Sequence, residues 1–122
     1  MEELGFPYRV LNMATEELGA AAYRKFDVEV WMPARQAYGE VSSASNCTSY
    51  QSRRLNIGYL EHSEKRLAHT VNGTALAVPR IILSILETYY DNDKKIVRIP
   101  ECLHPFLPFT QIDAKDRPSL IH

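Results

Sequence analysis

A chain of 122 residues, 45% apolar and 24% charged, holds one compact domain or part of a larger one, with a composition ordinary for a globular chain. Its net charge of −1 gives no global basic patch, so any RNA contact has to come from a local site. No apolar run approaches the ~18 residues of a membrane span, and Met1-Glu2-Glu3-Leu4-Gly5 reads as neither a signal peptide nor a transit sequence.

Tyr8 to Met13 is a short strand candidate, and Ala14 to Gly19 follows as a turn or brief helix closed by glycine. Phe26 to Met32 alternates, with Asp27, Glu29 and Trp31 on one side and Phe26, Val28, Val30 and Met32 on the other. Pro33 ends that strand. Tyr38 to Ser45 reads as a second one, and the intervening loop makes the two an antiparallel pair. Thr48 to Arg54 is polar enough for one or two helical turns. Leu55 to Leu60 and Leu67 to Val71 are further strand candidates, flanking a charged loop from His62 to Arg66.

The clearest helix comes next. Val78, Ile81, Ile82, Ile85, Leu86 and Tyr89 recur at three- and four-residue spacing up to Tyr90, and such a stripe reads as core. Thr74 is a candidate cap, but Pro79 fits better in a first turn that begins near Ala77. Ile96 to Ile99 forms a short strand stopped by Pro100. Pro105 and Pro108 suit neither a helix interior nor a central strand. Residues 1–108 therefore make the structured part and 109–122 a tail, exposed from Asp113 onward. Antiparallel strands followed by one long helix describe an α+β architecture.

Cys47 and Cys102 lie far apart without C-x-x-C spacing and read as free buried thiols. His62, His69, His104 and His122 are scattered, with no zinc-binding pattern. Two segments carry polar groups where a plain core would not want them. In Gly39 to Asn46, Glu40 is followed by Ser42, Ser43 and Ser45 within a strand-like run, costly to bury unless each group is paired or bound. A carboxylate can hold Mg²⁺ and hydroxyls can hold phosphate; a polar edge strand is the other reading. In Asn72 to Arg80, small residues lead into a helix N-terminus with exposed N–H groups. Arg80 there opposes the helix dipole, which makes sense beside a bound anion or a nearby acid.

The stretches Asp27-Val28-Glu29-Val30-Trp31-Met32-Pro33, Glu40 to Thr48, Gln51-Ser52-Arg53-Arg54 and His69 to Arg80 together resemble seryl-tRNA synthetases, in order and spacing, over roughly Leu4 to Leu107. The Ser-Ala-Ser-Asn and Val-Pro-Arg forms look most like animal mitochondrial members. The resemblance implies that residues 1–108 are the C-terminal part of a class II aminoacyl-tRNA synthetase catalytic domain: an antiparallel sheet with the long motif 3 helix packed on it. It implies that Glu40, Val41, Ser42 and Ser43 contact ATP, that Glu40 and Ser43 hold its Mg²⁺, that Thr74 contacts serine, and that Arg80, ending motif 3, binds the phosphate tail. Glu40 and Arg80 would be the catalytic pair. Strict alternation puts Glu40 and Ser43 on opposite faces, so sharing one metal requires a bulge or strand end between them.

The function implied is a mitochondrial serine–tRNA ligase, with the cytoplasm as the alternative location. Serine, ATP and tRNA-Ser are its substrates, and the full-length family is homodimeric. Motifs 1 and 2 and the tRNA-binding arm are not in these residues, so the resemblance implies that the chain alone is inactive. A synthetase-like paralogue acting as a non-catalytic binding or partner subunit is the alternative. Ser49 departs from the family, which usually carries aspartate there.

Overall fold

The computed structural model describes residues 1–113. In chain order it has β1 (Tyr8–Asn12), a 3₁₀ turn (Thr15–Glu17), β2 (Arg24–Met32), β3 (Ala37–Thr48), α1 (Tyr50–Leu55), β4 (Gly58–Glu61), β5 (Glu64–Leu67), β6 (Thr70–Thr74), α2 (Val78–Thr88), β7 (Tyr90–Asp91), β8 (Ile96–Arg98), a 3₁₀ segment (Glu101–Phe106) and β9 (Gln111–Asp113). The expected α+β class holds, with three sheets ordered β1-β2-β3-β6, β4-β5 and β7-β8-β9. The chain divides into two compact units. One comprises Met1–Tyr8, Val30–Gly39 and the described residues from Val78 onward; the other comprises Arg9–Glu29 and Glu40–Ala77.

In the first unit the core is apolar. Val30 and Met32 are fully buried, with Phe6, Ile81, Ile96, Val97 and Ile99 nearly so. The β2–β3 hairpin closes through Gln36, whose backbone takes a positive φ of 52°. Its side-chain amide donates to the Pro33 carbonyl at 2.6 Å, and Trp31 meets Tyr38 edge-on at 5.2 Å. Gly5 has a φ of +66°, and a Cβ there would collide with the Tyr89 hydroxyl. That hydroxyl donates to the Leu4 carbonyl at 2.5 Å, so both the turn and the contact require glycine.

Helix α2 is shorter than its periodicity predicts. It ends at Thr88 because Tyr90 and Asp91 leave to pair with Val97 and Ile96. Its stripe is also not core throughout. Ile81 and Ser84 are buried, whereas Val78, Ile82 and Leu86 are 61%, 52% and 41% exposed. One helical row is covered and the adjacent row is open, a distinction that periodicity alone does not carry. Pro79 is the second helical residue, in the first turn where its missing N–H costs nothing. Thr74 ends β6 and does not cap the helix.

Elsewhere the structure differs from these expectations in detail. Glu64–Leu67, assigned largely to a charged loop, is strand β5, paired to β4 across a two-residue turn. His62 and Ser63 there take φ of 49° and 70°, as a tight hairpin turn requires. The hairpin is held at its surface by Arg66, 2.7 Å from Glu61, so no apolar alternation marks it in the sequence. Leu67 and Thr70 to Val71, read as one strand, belong to two different sheets. Pro105 lies inside a 3₁₀ segment, tolerated because the Leu103 and Leu107 amides make the i→i−3 bonds on either side of it. Within the span read as tail, Gln111–Asp113 pairs with Arg98 to Ile96 as β9; the remainder lies outside the described residues.

The β7–β8 turn carries a pH prediction. The Asp91 carboxylate accepts the Lys94 and Asp93 amides at 3.1 Å and the Arg98 guanidinium at 2.8 Å. The Lys94 amide first, and then Arg98, hold its pKa below the usual 3.8. A depressed carboxyl stabilises the fold above its unfolded value and loses that contribution as pH falls through the folded value. Amide exchange at Ile96 and Val97 should therefore accelerate below about pH 3.8 in the parent chain. In Asp91→Asn the acid-dependent part of that acceleration should vanish; an unchanged acid response would exclude Asp91 as its source.

Candidate functional site

In the second unit β3 and β6 run antiparallel, with Ser43 opposite Thr74, Ala44 opposite Gly73 and Ser45 opposite Asn72. A Cβ at Gly73 would lie 3.1 Å from the Ser43 carbonyl oxygen, tighter than an ordinary contact, so glycine eases this approach. The Ser42 hydroxyl donates to the Thr74 carbonyl at 2.5 Å. Beyond the strand, the Ala77 amide donates to the Val41 carbonyl at 2.7 Å. Five of the six residues picked out by sequence, Glu40, Val41, Ser42, Ser43 and Thr74, therefore form one strip of polar backbone and side chain.

They are not equivalent. The Val41 side chain is fully buried and its carbonyl accepts the Ala77 amide. Ser42 ties the strip's two strands together. Glu40 and Ser43 are half-buried. Strand β3 continues without a break through both, and its register against β6 shifts only between Asn46 and Thr48.

Arg80 belongs to the other unit, as the third residue of α2. Its side chain is exposed, and its carbonyl accepts the buried Ser84 hydroxyl at 2.8 Å.

Sequence reading missed Lys25 and Asp27 as site residues. The buried side of β2 changes parity: Val30 and Met32 are buried, but so is Asp27, at 3% exposure. Asp27 Oδ2 accepts from Lys25 Nζ at 2.8 Å, and the same ammonium lies 3.8 Å from Glu40 Oε2. Asp27, and more weakly Glu40, raise the Lys25 pKa, against the opposing effect of burial. The sequence shows only a lysine and an aspartate two apart on one strand; the burial that makes a charged partner necessary is not visible in it.

Lys25 also lines an open cleft of about 390 Å³ with Ser45, Cys47, Gln51 and Asn72. Cys47 is buried, with the Asn72 amide 3.4 Å from its sulfur; Cys102 is half-buried, and both thiols are free. Helix α1 is fixed beside this cleft by Ser52, fully buried and bonded to the Ala68 carbonyl, and by Thr70, which donates to Gln51 at 2.7 Å. Ser49 is the N-cap of α1 but makes no side-chain cap hydrogen bond; its hydroxyl meets Arg53 at 3.2 Å. An aspartate there would add charge favourable to both the helix terminus and Arg53.

Among the described residues no group of three or more His, Cys, Asp or Glu could hold a metal ion. Glu40 offers one carboxylate beside serine hydroxyls. That donor set suits Mg²⁺ completed by phosphate oxygens and water, and does not suit an all-protein cage. Among the same residues no helix is long and apolar enough to cross a membrane.

Residues 1–89 match the family described as the tRNA synthetase class II core domain (G, H, P, S and T). The chain is 52% identical over 115 residues to the mitochondrial serine–tRNA ligase of Mus musculus, covering 93% of this chain and 22% of that protein. To the mitochondrial serine–tRNA ligase of Saccharomyces cerevisiae it is 50% identical over 109 residues, covering 88% and 24%. Serine–tRNA ligases of Borrelia also match, at 51% identity for Borrelia garinii, covering 93% of this chain and 28% of that one. Among solved structures, seryl-tRNA synthetase from Pyrococcus horikoshii complexed with ATP superposes with a TM-score of 0.86 at 44% identity, covering 92% of this chain and 25% of that one. The chain spans about a quarter of the length of the relatives it matches.

Proposed function

The chain belongs to the class II tRNA synthetase core-domain family, and from that premise we propose that it forms part of a serine–tRNA ligase, in which Glu40, Val41, Ser42, Ser43 and Arg80 serve ATP and Thr74 serves serine. The observation that carries this reading is the β3–β6 register, which sets Ser43 against Thr74 and leaves the half-buried Glu40 on the same strand. The likeness to proteins named as serine–tRNA ligases, and to a structure holding ATP, supports it.

In this reading the carboxylate of serine attacks the α-phosphorus of ATP, giving seryl-adenylate and pyrophosphate. A terminal ribose hydroxyl of tRNA-Ser then takes the seryl group from the adenylate, releasing AMP. Such chemistry depends on positioning and on neutralising developing charge. Glu40 holds the cation side of the nucleotide, Arg80 grips the phosphate tail with its planar fork, and Thr74 contacts the serine substrate. Mg²⁺, when bound, supplies the positive charge that neutralises the phosphates. Ser43 is its second protein oxygen in the family assignment, whereas strand alternation favours Ser42. A homodimer in the mitochondrial matrix completes the reading; the match to bacterial relatives keeps the cytoplasm as the second location.

The test is to graft the 122 residues in place of the matching segment of the mouse mitochondrial enzyme. Serine-dependent ATP–pyrophosphate exchange should persist in this chimaera and fall by about 10²-fold in Glu40→Gln. A chimaera that exchanges equally well with glutamine at position 40 would refute the nucleotide site. The same grafts with Ser42→Ala and Ser43→Ala decide which hydroxyl serves.

A further inference from the structure

Asp27 is an expensive residue to keep where it is. It is 3% exposed in the middle of β2, and its Oδ1 has no hydrogen-bond partner among the described residues. Its Oδ2 accepts a hydrogen bond from Lys25 Nζ at 2.8 Å. A buried carboxylate with one partner and one bare oxygen costs more than a neutral residue of similar size would. The arrangement is therefore a poor device for stability alone. Its geometric result is to fix the Lys25 ammonium, whose side chain is 22% exposed, at 3.8 Å from Glu40, which is 36% exposed.

We propose that Lys25 and Asp27 form a charge-neutral clamp on Glu40: positioning residues that steady its carboxylate through Lys25 while Asp27 cancels the lysine's charge. The single negative charge of Glu40 is then left for a divalent cation bound with the nucleotide. This rests on the reading of Glu40 given above. The charge arithmetic is specific. With both partners present the cluster of Lys25, Asp27 and Glu40 carries −1. Without the Asp27 charge it carries 0 and repels a cation relative to the parent. Without the Lys25 charge it carries −2 and attracts one more strongly. A lysine 3.8 Å from a metal ligand would by itself oppose the metal; the buried aspartate removes that opposition while keeping the lysine's hydrogen-bonding reach.

The experiment measures binding, independently of turnover. Mn²⁺ is titrated by electron paramagnetic resonance into the chimaera described above, saturated with a non-hydrolysable ATP analogue. Asp27→Asn should weaken Mn²⁺ binding by about fivefold and Lys25→Met should tighten it by about fivefold, as expected for a screened charge several ångströms away. The double variant should return close to the parent. Asp27→Asn is nearly isosteric, and the double variant buries no unpaired charge, so these two remain informative even where Lys25→Met alone does not fold. Shifts of the same sign in the two single variants, or no weakening in Asp27→Asn with an unchanged melting curve, would overturn the clamp. Loss of Mn²⁺ binding in Glu40→Gln separates the levels: if glutamine at 40 binds as the parent does, the nucleotide-site reading fails and the clamp with it.

Discussion

Alanine at Arg80 should lower serine-dependent ATP–pyrophosphate exchange in the grafted enzyme by about 10²–10³-fold, the loss typical of removing one preorganised group that meets developing charge. Arg80 is the third residue of α2, exposed, and lies in the turn where a cation is unfavourable to the helix dipole. The melting temperature, measured on the same variant, separates a loss of folding from a loss of the phosphate contact. Arg80→Lys keeps the charge but loses the bidentate fork, and should recover only part of the rate. The split matters: an effect carried by the phosphate tail appears in the KM for ATP and in kcat together, with the KM for serine little moved. Unchanged exchange with alanine at 80 would remove Arg80 from the site and leave it a surface residue of α2.

The second large effect is on stability. Met32→Ala should cost about 2–5 kcal/mol, as for other fully buried large-to-small changes. Met32 is completely buried beside Val30, and its Sδ and Cε fill the space over Gly39, where a Cβ would come within 2.9 and 2.6 Å of them. Gly39 itself has no side chain to refill that space. Trp31, the single tryptophan, sits beside the lesion and reports urea unfolding by fluorescence. Met32→Leu, which conserves volume, should cost less than about 1.5 kcal/mol. An alanine variant with the parent's unfolding midpoint would show that the hairpin base collapses onto the void, contrary to the packing described.

Much of the fold is legible in the residues alone. Alternation in Phe26–Met32, the proline that ends it and the run Tyr38–Ser45 gave β2 and β3 to within a few residues, because half-buried strands of an antiparallel sheet must alternate. The β4–β5 hairpin was not legible. Both faces of it are exposed, so nothing in its residues distinguishes strand from loop except the turn at His62-Ser63. The stripe of α2 was legible as a helix but not as to which row is covered, since Val78–Ile82–Leu86 and Ile81–Ser84 are equally compatible with 3.6 residues per turn. The chemistry behaved differently. Glu40, Ser42, Ser43, Thr74 and Arg80 stood out because polar and small residues in place of core residues are costly without a ligand, and the resemblance gave them roles. Lys25 and Asp27 did not stand out. A lysine and an aspartate two apart read as a solvated strand edge until the buried side of β2 is seen to change parity.

The sequence by itself determined the strands and helix that alternation, periodicity and proline dictate, and the family to which residues 1–89 belong. Those signals are local, carried by neighbours within one element. Only the tertiary structure decided that Ser43 faces Thr74 and that Asp27 is buried with Lys25 beside Glu40. Register and burial are relations between distant segments, set by which strand edges pair and which faces lose water, and no single stretch of residues contains them.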